Sequence, residues 1–307
     1  MDHGWGSYQK KEGDITCSPS RIILLREDPI LYKAKYIDKI DDTTKSMDFG
    51  TLVHASVLEP KKFSEKYRPV PIRTDENDLT VKDLDKILVD LGLKKTGNKD
   101  EKIKRVREVK KDFPLQYDEI LETLSKDFEY ISIDHENACK VISGRIKAHP
   151  KVGPWVELAD KEKRGWYTHE SGVVMRFQID CPFEYKDAGV ICDLKVHREW
   201  NSKWFDNWLH DSGTYIQLAA YREAMKKIEG KVFRHFLIIS VEPAFPHRVR
   251  YREIEESTID KGLEDLNKYI LEFKERTINN DWSERAEDLE IKTAGLRPWH
   301  LGGGFDE

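Results

Sequence analysis

The chain has 307 residues, room for one large domain or two small ones around a real hydrophobic core. Charged residues make up 36% of it, yet 52 Lys+Arg stand against 57 Asp+Glu for a formal charge of −5, which excludes a uniformly basic nucleic-acid coat and a strongly acidic disordered chain. No run of about 18 apolar residues offers a membrane span. The start, Met1-Asp2-His3-Gly4-Trp5, lacks a signal peptide's basic and apolar regions. Cys17, Cys139, Cys181 and Cys192 form no Cys-x-x-Cys pair, against a zinc ribbon, an iron–sulfur cluster or a disulfide framework. The expected compartment is a reducing cytoplasm, with no membrane partner.

In chain order, Ser18-Pro19-Ser20 predicts the cap of a short helix from Arg21 to Arg26, stopped before Pro29. Phe49, Leu52, Val53 and Val57 at helical spacing predict a helix over 46–58, with Pro60 just beyond. Residues 134–148 predict a third, with Ala138, Val141, Ile142 and Arg145 along one face. Segments 164–169, 173–180, 189–196 and 232–241 read as strands, rich in Val, Ile, Phe and Tyr. A helix is expected over 213–228, a strand near 247–254 and an amphipathic helix over 257–275. The second half thus reads as an α/β sandwich around one sheet. The glycine-rich end, 297–307, reads as a flexible tail.

The informative segment is Val190-Ile191-Cys192-Asp193-Leu194-Lys195-Val196. Strand alternation puts Asp193 and Lys195 on one face. Asp180 ends the apolar run from Val173, and the stretch 181–189 is expected to be the turn of an antiparallel hairpin that brings Asp180 beside Asp193. Two carboxylates and a lysine suit a hard divalent ion such as Mg²⁺, with Mn²⁺ able to substitute. On this segment alone the plainer account, a hairpin with an exposed salt bridge, is the stronger. The next predicted helix carries Gln217 and Tyr221 one turn apart, pointing the same way.

The order Asp…Asp-x-Lys…Gln-x-x-x-Tyr resembles the RecB-type branch of the PD-(D/E)xK nucleases. The string from Asp48 through His54 to Pro60, Ser18-Pro19-Ser20 with Asp28-Pro29, and Glu162-x-x-x-Trp166-Tyr167 leading to Asp180 are similar to the phage-type exonuclease VIII (RecE-like) family. The resemblance implies an α/β, restriction-endonuclease-like core: a mixed central sheet flanked by helices, spanning 1–74 and 113–296. It implies that Asp180 and Asp193 bind the metal, that the backbone carbonyl of Leu194 adds an oxygen, and that Lys195 is the catalytic lysine. His54 becomes a further ligand or a group that orients the scissile phosphate, although a lone helix histidine is more often a satisfied core residue. Glu162 is either an edge ligand or a surface carboxylate. Gln217 and Tyr221 support the lysine and the DNA strand, although Tyr221 is equally placed for the core. The implied activity is Mg²⁺-dependent exonuclease action on linear double-stranded DNA, resecting 5′ ends for recombination. The implied partners are a single-strand annealing protein and further copies of the chain in a ring-shaped homo-oligomer. A RecB-type nuclease for single strands or flaps, and a non-catalytic DNA-binding protein of the same fold, remain alternatives.

Residues 80–111 hold eleven Lys/Arg and six Asp/Glu, a local charge of +5. Apolar spacing from Leu79 to Val106 predicts two short helices, with Gly92 ending the first and Gly97 shaping the turn. The pattern is similar to SAP-type DNA-binding units, which implies an inserted unit over 75–112 that touches duplex phosphates through Lys94, Lys95, Lys99, Lys102 and Arg105. The plain alternative is a solvated charged hairpin.

Overall fold

The computed structural model describes residues 11, 13–40, 45–124, 128–185, 188–197 and 202–290. The expected flexible tail lies outside them. Strand β1 (Thr16–Cys17) leads to α1 (Pro19–Glu27) and α2 (Pro29–Tyr32). Asp28 separates these two helices: its N–H closes α1 on Leu24 O at 2.9 Å. Its carboxylate caps α2 by accepting from the Ile30 and Leu31 amides at 2.6 and 3.1 Å. Next come α3 (Lys45–Leu58), α4 (Pro60–Lys66) and β2 (Tyr67–Pro69). The basic segment supplies α5 (Val81–Asp90) and α6 (Lys99–Val109), both opened by capping boxes: Thr80 with Asp83, and Asn98 with Glu101. Gly92 and Gly97 take the left-handed conformations expected of turn glycines, with φ of 68° and 114°.

After α7 (Tyr117–Leu124), β3 (Glu129–Ile131) pairs in parallel with β2, so a two-stranded ribbon brackets the basic segment. Inside that bracket, buried Gln116 accepts from the Leu79 amide and donates to Glu76 O, and Arg107 grips Glu119 with two bonds of 2.6 Å. These bonds tie the incoming chain and α6 to residues past 112.

Helix α8 (Ile133–Ala148) buries Ala138, Cys139, Ile142 and Ile146. Val141 and Arg145, expected on that face, are turned outward. Arg145 instead binds the carbonyls of Pro246 and His247. Then follow α9 (Val152–Leu158), β4 (Lys163–Thr168), β5 (Val174–Ile179), β6 (Cys181–Tyr185), β7 (Ala188–Val196), α10 (Ser202–Asp211), α11 (Thr214–Glu229), β8 (Phe233–Val241), β9 (Val249–Ile254) and α12 (Glu256–Asn279).

The expected single sheet is two larger sheets, of order β1-β5-β4 and β6-β7-β8-β9, beside the small ribbon. In the second, β7 and β8 run parallel and the outer pairs antiparallel. The expected turn over 181–189 is mostly strand β6, and the hairpin arm that meets β7 is β6 rather than β5. The chain from Val174 to Tyr185 therefore serves both sheets, changing over at Asp180. One face of the second sheet packs Ile191, Phe236 and Ile238 on α1, α11 and α12, and the other packs Val190, Cys192, Leu194 and Ile239 on α3, α8 and α9. Gly213, which starts α11, has φ of 66°, and a Cβ there would lie 2.6 Å from Ile23 Cγ2. Among the described residues no helix is long and apolar enough to cross a membrane.

Candidate active site

Two strand registers meet at Asp180. In the first sheet Lys163 pairs with Ile179, so the next row sets Glu162 beside Asp180, and the Glu162 amide donates to Asp180 O at 2.9 Å. In the second sheet Cys181 pairs with Cys192, so the row before sets Asp180 beside Asp193. Three carboxylates thus lie in one line across the junction. From α3, His54 Nδ1 comes to 3.8 Å from Asp180 Oδ2. His54, Glu162 and Asp180 offer ligand atoms all within 4.8 Å of one another.

Asp193 is 1% exposed and Asp180 7%. Asp180 Oδ2 accepts the Leu194 amide at 2.7 Å. Lys195 Nζ lies 2.8 Å from Asp193 Oδ2 and donates to Gln217 Oε1 at 2.7 Å. Gln217 Nε2 in turn donates to the Tyr221 hydroxyl at 2.7 Å. The ammonium is the ion-pair partner of Asp193, and Asp193 Oδ1 has no hydrogen-bond partner. Lys195, Gln217 and Tyr221 line one wall of a cleft of about 410 Å³, with His54 and Asp180 also on its lining and Asp193 buried behind Lys195.

Burial and the neighbouring Asp180 charge push the Asp193 carboxyl upward, against the pull of Lys195. Burial works to lower the Lys195 ammonium, but Asp193 and Asp180 outweigh it and hold the group above its ordinary value. Burial, then the charges of Asp180 and Glu59, lift Glu162 to about 7. Glu162 also sits at φ 57°, where non-glycine residues are uncommon. Its carboxylate accepts from Gln178. Burial raises the Tyr221 hydroxyl well above its ordinary value, so it acts as a neutral hydrogen-bonding group.

The seven side chains expected from the sequence, His54, Glu162, Asp180, Asp193, Lys195, Gln217 and Tyr221, are brought together. Leu194 gives Asp180 its amide while its side chain is buried on the opposite face. Sequence reasoning missed Arg176 and Gln178, which also line the cleft. The signal was present, because residues 176, 178 and 180 alternate onto one strand face. Burial and the nearby Arg21 charge lower the Arg176 guanidinium.

The basic residues are set apart, in the α5–α6 hairpin. Lys94 and Lys95 are exposed in its loop and Lys99 half-buried at the start of α6. Lys102, expected to face DNA, is instead 5% exposed and bonded to Asp85 at 2.6 Å. Arg105 is turned to the loop, donating to the carbonyls of Lys94 and Thr96 at 2.5 and 2.9 Å.

A divalent ion fits this cluster. One imidazole and three carboxylates form a hard to borderline donor set. Asp193 Oδ2 has Lys195 Nζ at 2.8 Å, and the buried Oδ1 has no hydrogen-bond partner, which leaves an acceptor open for a cation.

A family model described as a PDDEXK-like domain of unknown function (DUF3799) matches residues 20–294. Among solved structures, a candidate exonuclease from Eubacterium rectale is 12% identical, with a TM-score of 0.54 over 99% of this chain and 98% of that one. At that identity the likeness is one of fold, and the fold is the restriction-endonuclease-like core expected from the sequence. SSO0001 is 14% identical over 71% of this chain and 84% of its own, with a TM-score of 0.25 that carries no argument. No curated protein matches the sequence.

Proposed function

The chain belongs to this PDDEXK-like family, and from that premise we propose that it is a nuclease that hydrolyses DNA phosphodiester bonds with a divalent ion, Mg²⁺ or Mn²⁺. The observation that carries the reading is the row Glu162–Asp180–Asp193 at the sheet junction with Lys195 beside it. Asp180, Asp193, Glu162 and His54 would hold the ion, with the Leu194 carbonyl as the remaining expected oxygen. A divalent ion there supplies Lewis-acid polarisation of the phosphoryl group and makes water more acidic.

The protein's own groups do the rest. Lys195 orients the attacking water and offsets charge that develops on phosphorus-bound oxygens. Gln217 fixes the ammonium by accepting one of its hydrogens, and Tyr221 fixes Gln217. Arg176 adds positive charge to the cleft and draws phosphate toward it.

At finer grain, we read a RecE-like double-strand exonuclease that resects 5′ ends, works with a single-strand annealing protein and assembles into a ring. The α5–α6 hairpin is read as a SAP-like unit that presents Lys94, Lys95 and Lys99 to the duplex backbone. Supporting these is the resemblance in motif order together with the exposure of Lys94 and Lys95. Digestion of end-labelled linear duplex with Mg²⁺ tests activity and direction together. A covalently closed circle should survive. Cutting of the circle would discard the exonuclease mode, and no cleavage of any DNA would discard the reading.

A further inference from the structure

Beside the catalytic cleft lies a second cavity of about 330 Å³, between α3, α8, the end of β7 and the loop joining β8 to β9. Its walls carry four rings: Phe49, His135, His197 and His247. Phe49 and His135 are 5.1 Å apart between centroids. His197 is held by stacking on Trp208 at 4.2 Å and 12°, and by a 3.0 Å bond with Ser240.

Two elements link it to the phosphodiester site: α3 carries both Phe49 and His54, and the chain at the end of β7 runs from Lys195 to Val196 and His197.

The overhanging loop is braced. Glu242 accepts from Arg248 Nε and Nη2 at 2.8 and 3.0 Å, and the Glu242 amide donates to Arg248 O at 2.9 Å. The His247 amide donates to Ala244 O at 2.8 Å, and Arg145 holds the carbonyls of Pro246 and His247. On this braced loop Phe245 is 88% exposed, its ring edge-on to His247 at 6.3 Å. A phenyl ring fixed in solvent next to a ring-lined cavity suits a flat π ligand.

We infer that this cavity receives one unstacked nucleobase of the strand being cut, with Phe245 stacking on that same base at the rim. The inference rests on the nuclease reading and deepens it. Every base has a π face, so the grip is sequence-tolerant. The His135 and His247 ring nitrogens and the Asp134 carboxylate on the cavity lining can bond base edges.

The test uses the full chain and duplexes carrying 2-aminopurine at one of the first four nucleotides of either strand. Fluorescence is read on the complex in excess chelator, and single-turnover cleavage in Mg²⁺. At one position, binding should change the fluorescence, and both His135→Ala and Phe245→Ala should abolish that change. The two residues are exposed and lie on separate elements. Each variant should slow cleavage roughly 5- to 100-fold, and the slowing should vanish when that nucleotide is abasic. Normal binding and cleavage with no fluorescence change at any position would overturn the inference alone. So would slowing that persists on the abasic end. Failure to bind or cut any DNA would overturn it together with the nuclease reading.

Discussion

Substituting Leu88 by alanine should open the α5–α6 hairpin while the rest of the protein stays folded. Leu84, Leu88, Ile103 and Val106 are at most 4% exposed and belong to neither core of the main body. Four such side chains contribute about 6–12 kcal/mol of burial, most of it offset by ordering the chain. A unit of this size therefore holds a net stability of no more than about 3–5 kcal/mol. Leu88→Ala costs about 2–5 kcal/mol of that. Hydrogen exchange should show protection lost across 81–109 while the main thermal transition stays in place. Cleavage of short duplexes should persist. Affinity for long duplex should fall, and the log–log salt slope should flatten by about 2–3 as contacts from Lys94, Lys95 and Lys99 are lost. A main transition that falls in step would mean the hairpin is part of the body's cooperative unit. An unchanged salt slope would mean that its lysines do not touch phosphate.

Other substitutions separate catalysis from architecture. Asp180→Asn keeps an acceptor for the Leu194 amide and should lose cleavage at little cost in stability. Asp180→Ala should lose cleavage and also about 1–3 kcal/mol, read by urea unfolding, for the orphaned amide. Lys195→Ala should slow single-turnover cleavage by about 10²-fold or more. Lys195→Arg should not restore it, because a planar guanidinium cannot replace a compact ammonium against Gln217. The hydrogen bonds from Arg107 hold the Glu119 carboxyl below its ordinary value. A lowered folded value means that this contribution to stability is present at neutral pH and is lost as pH falls through the folded value. Proteolysis around 110–119 should therefore quicken in acid, and less so in Glu119→Gln.

The clustering of the candidate site residues was legible because its signals are local. Alternation pairs Asp193 with Lys195, and a helical turn pairs Gln217 with Tyr221. Strand β6 was hidden by Pro182, which argues against a strand in a sheet's interior. It is tolerated here because β6 is an edge strand in the order β6-β7-β8-β9. Helix α10 went unread although Trp204, Phe205, Trp208 and Leu209 stand at helical spacing in it. The fate of Lys102 depends on Asp85 of the neighbouring helix, a pairing that no spacing within α6 encodes. The split of the sheet was beyond reach for the same reason: a sequence shows strands singly, and partners are set by packing.

That split is what makes the site chemically possible. Strand β6 accompanies β7 only as far as Cys192, because the chain on its far side swings into the other sheet at Asp180. Residues 193–196 of β7 then keep β8 as their one ladder partner. The Leu194 amide, freed on the open side, is satisfied by the Asp180 carboxylate rather than by a strand carbonyl. The same departure of β5 carries Glu162 to the other side of Asp180. A continuous sheet would bury a row of three carboxylates against a neighbouring strand, at a desolvation cost that a single ammonium could not offset. At the fork Asp180, the middle of the row, opens onto a cleft, where a cation and a phosphodiester arriving together would meet its charge.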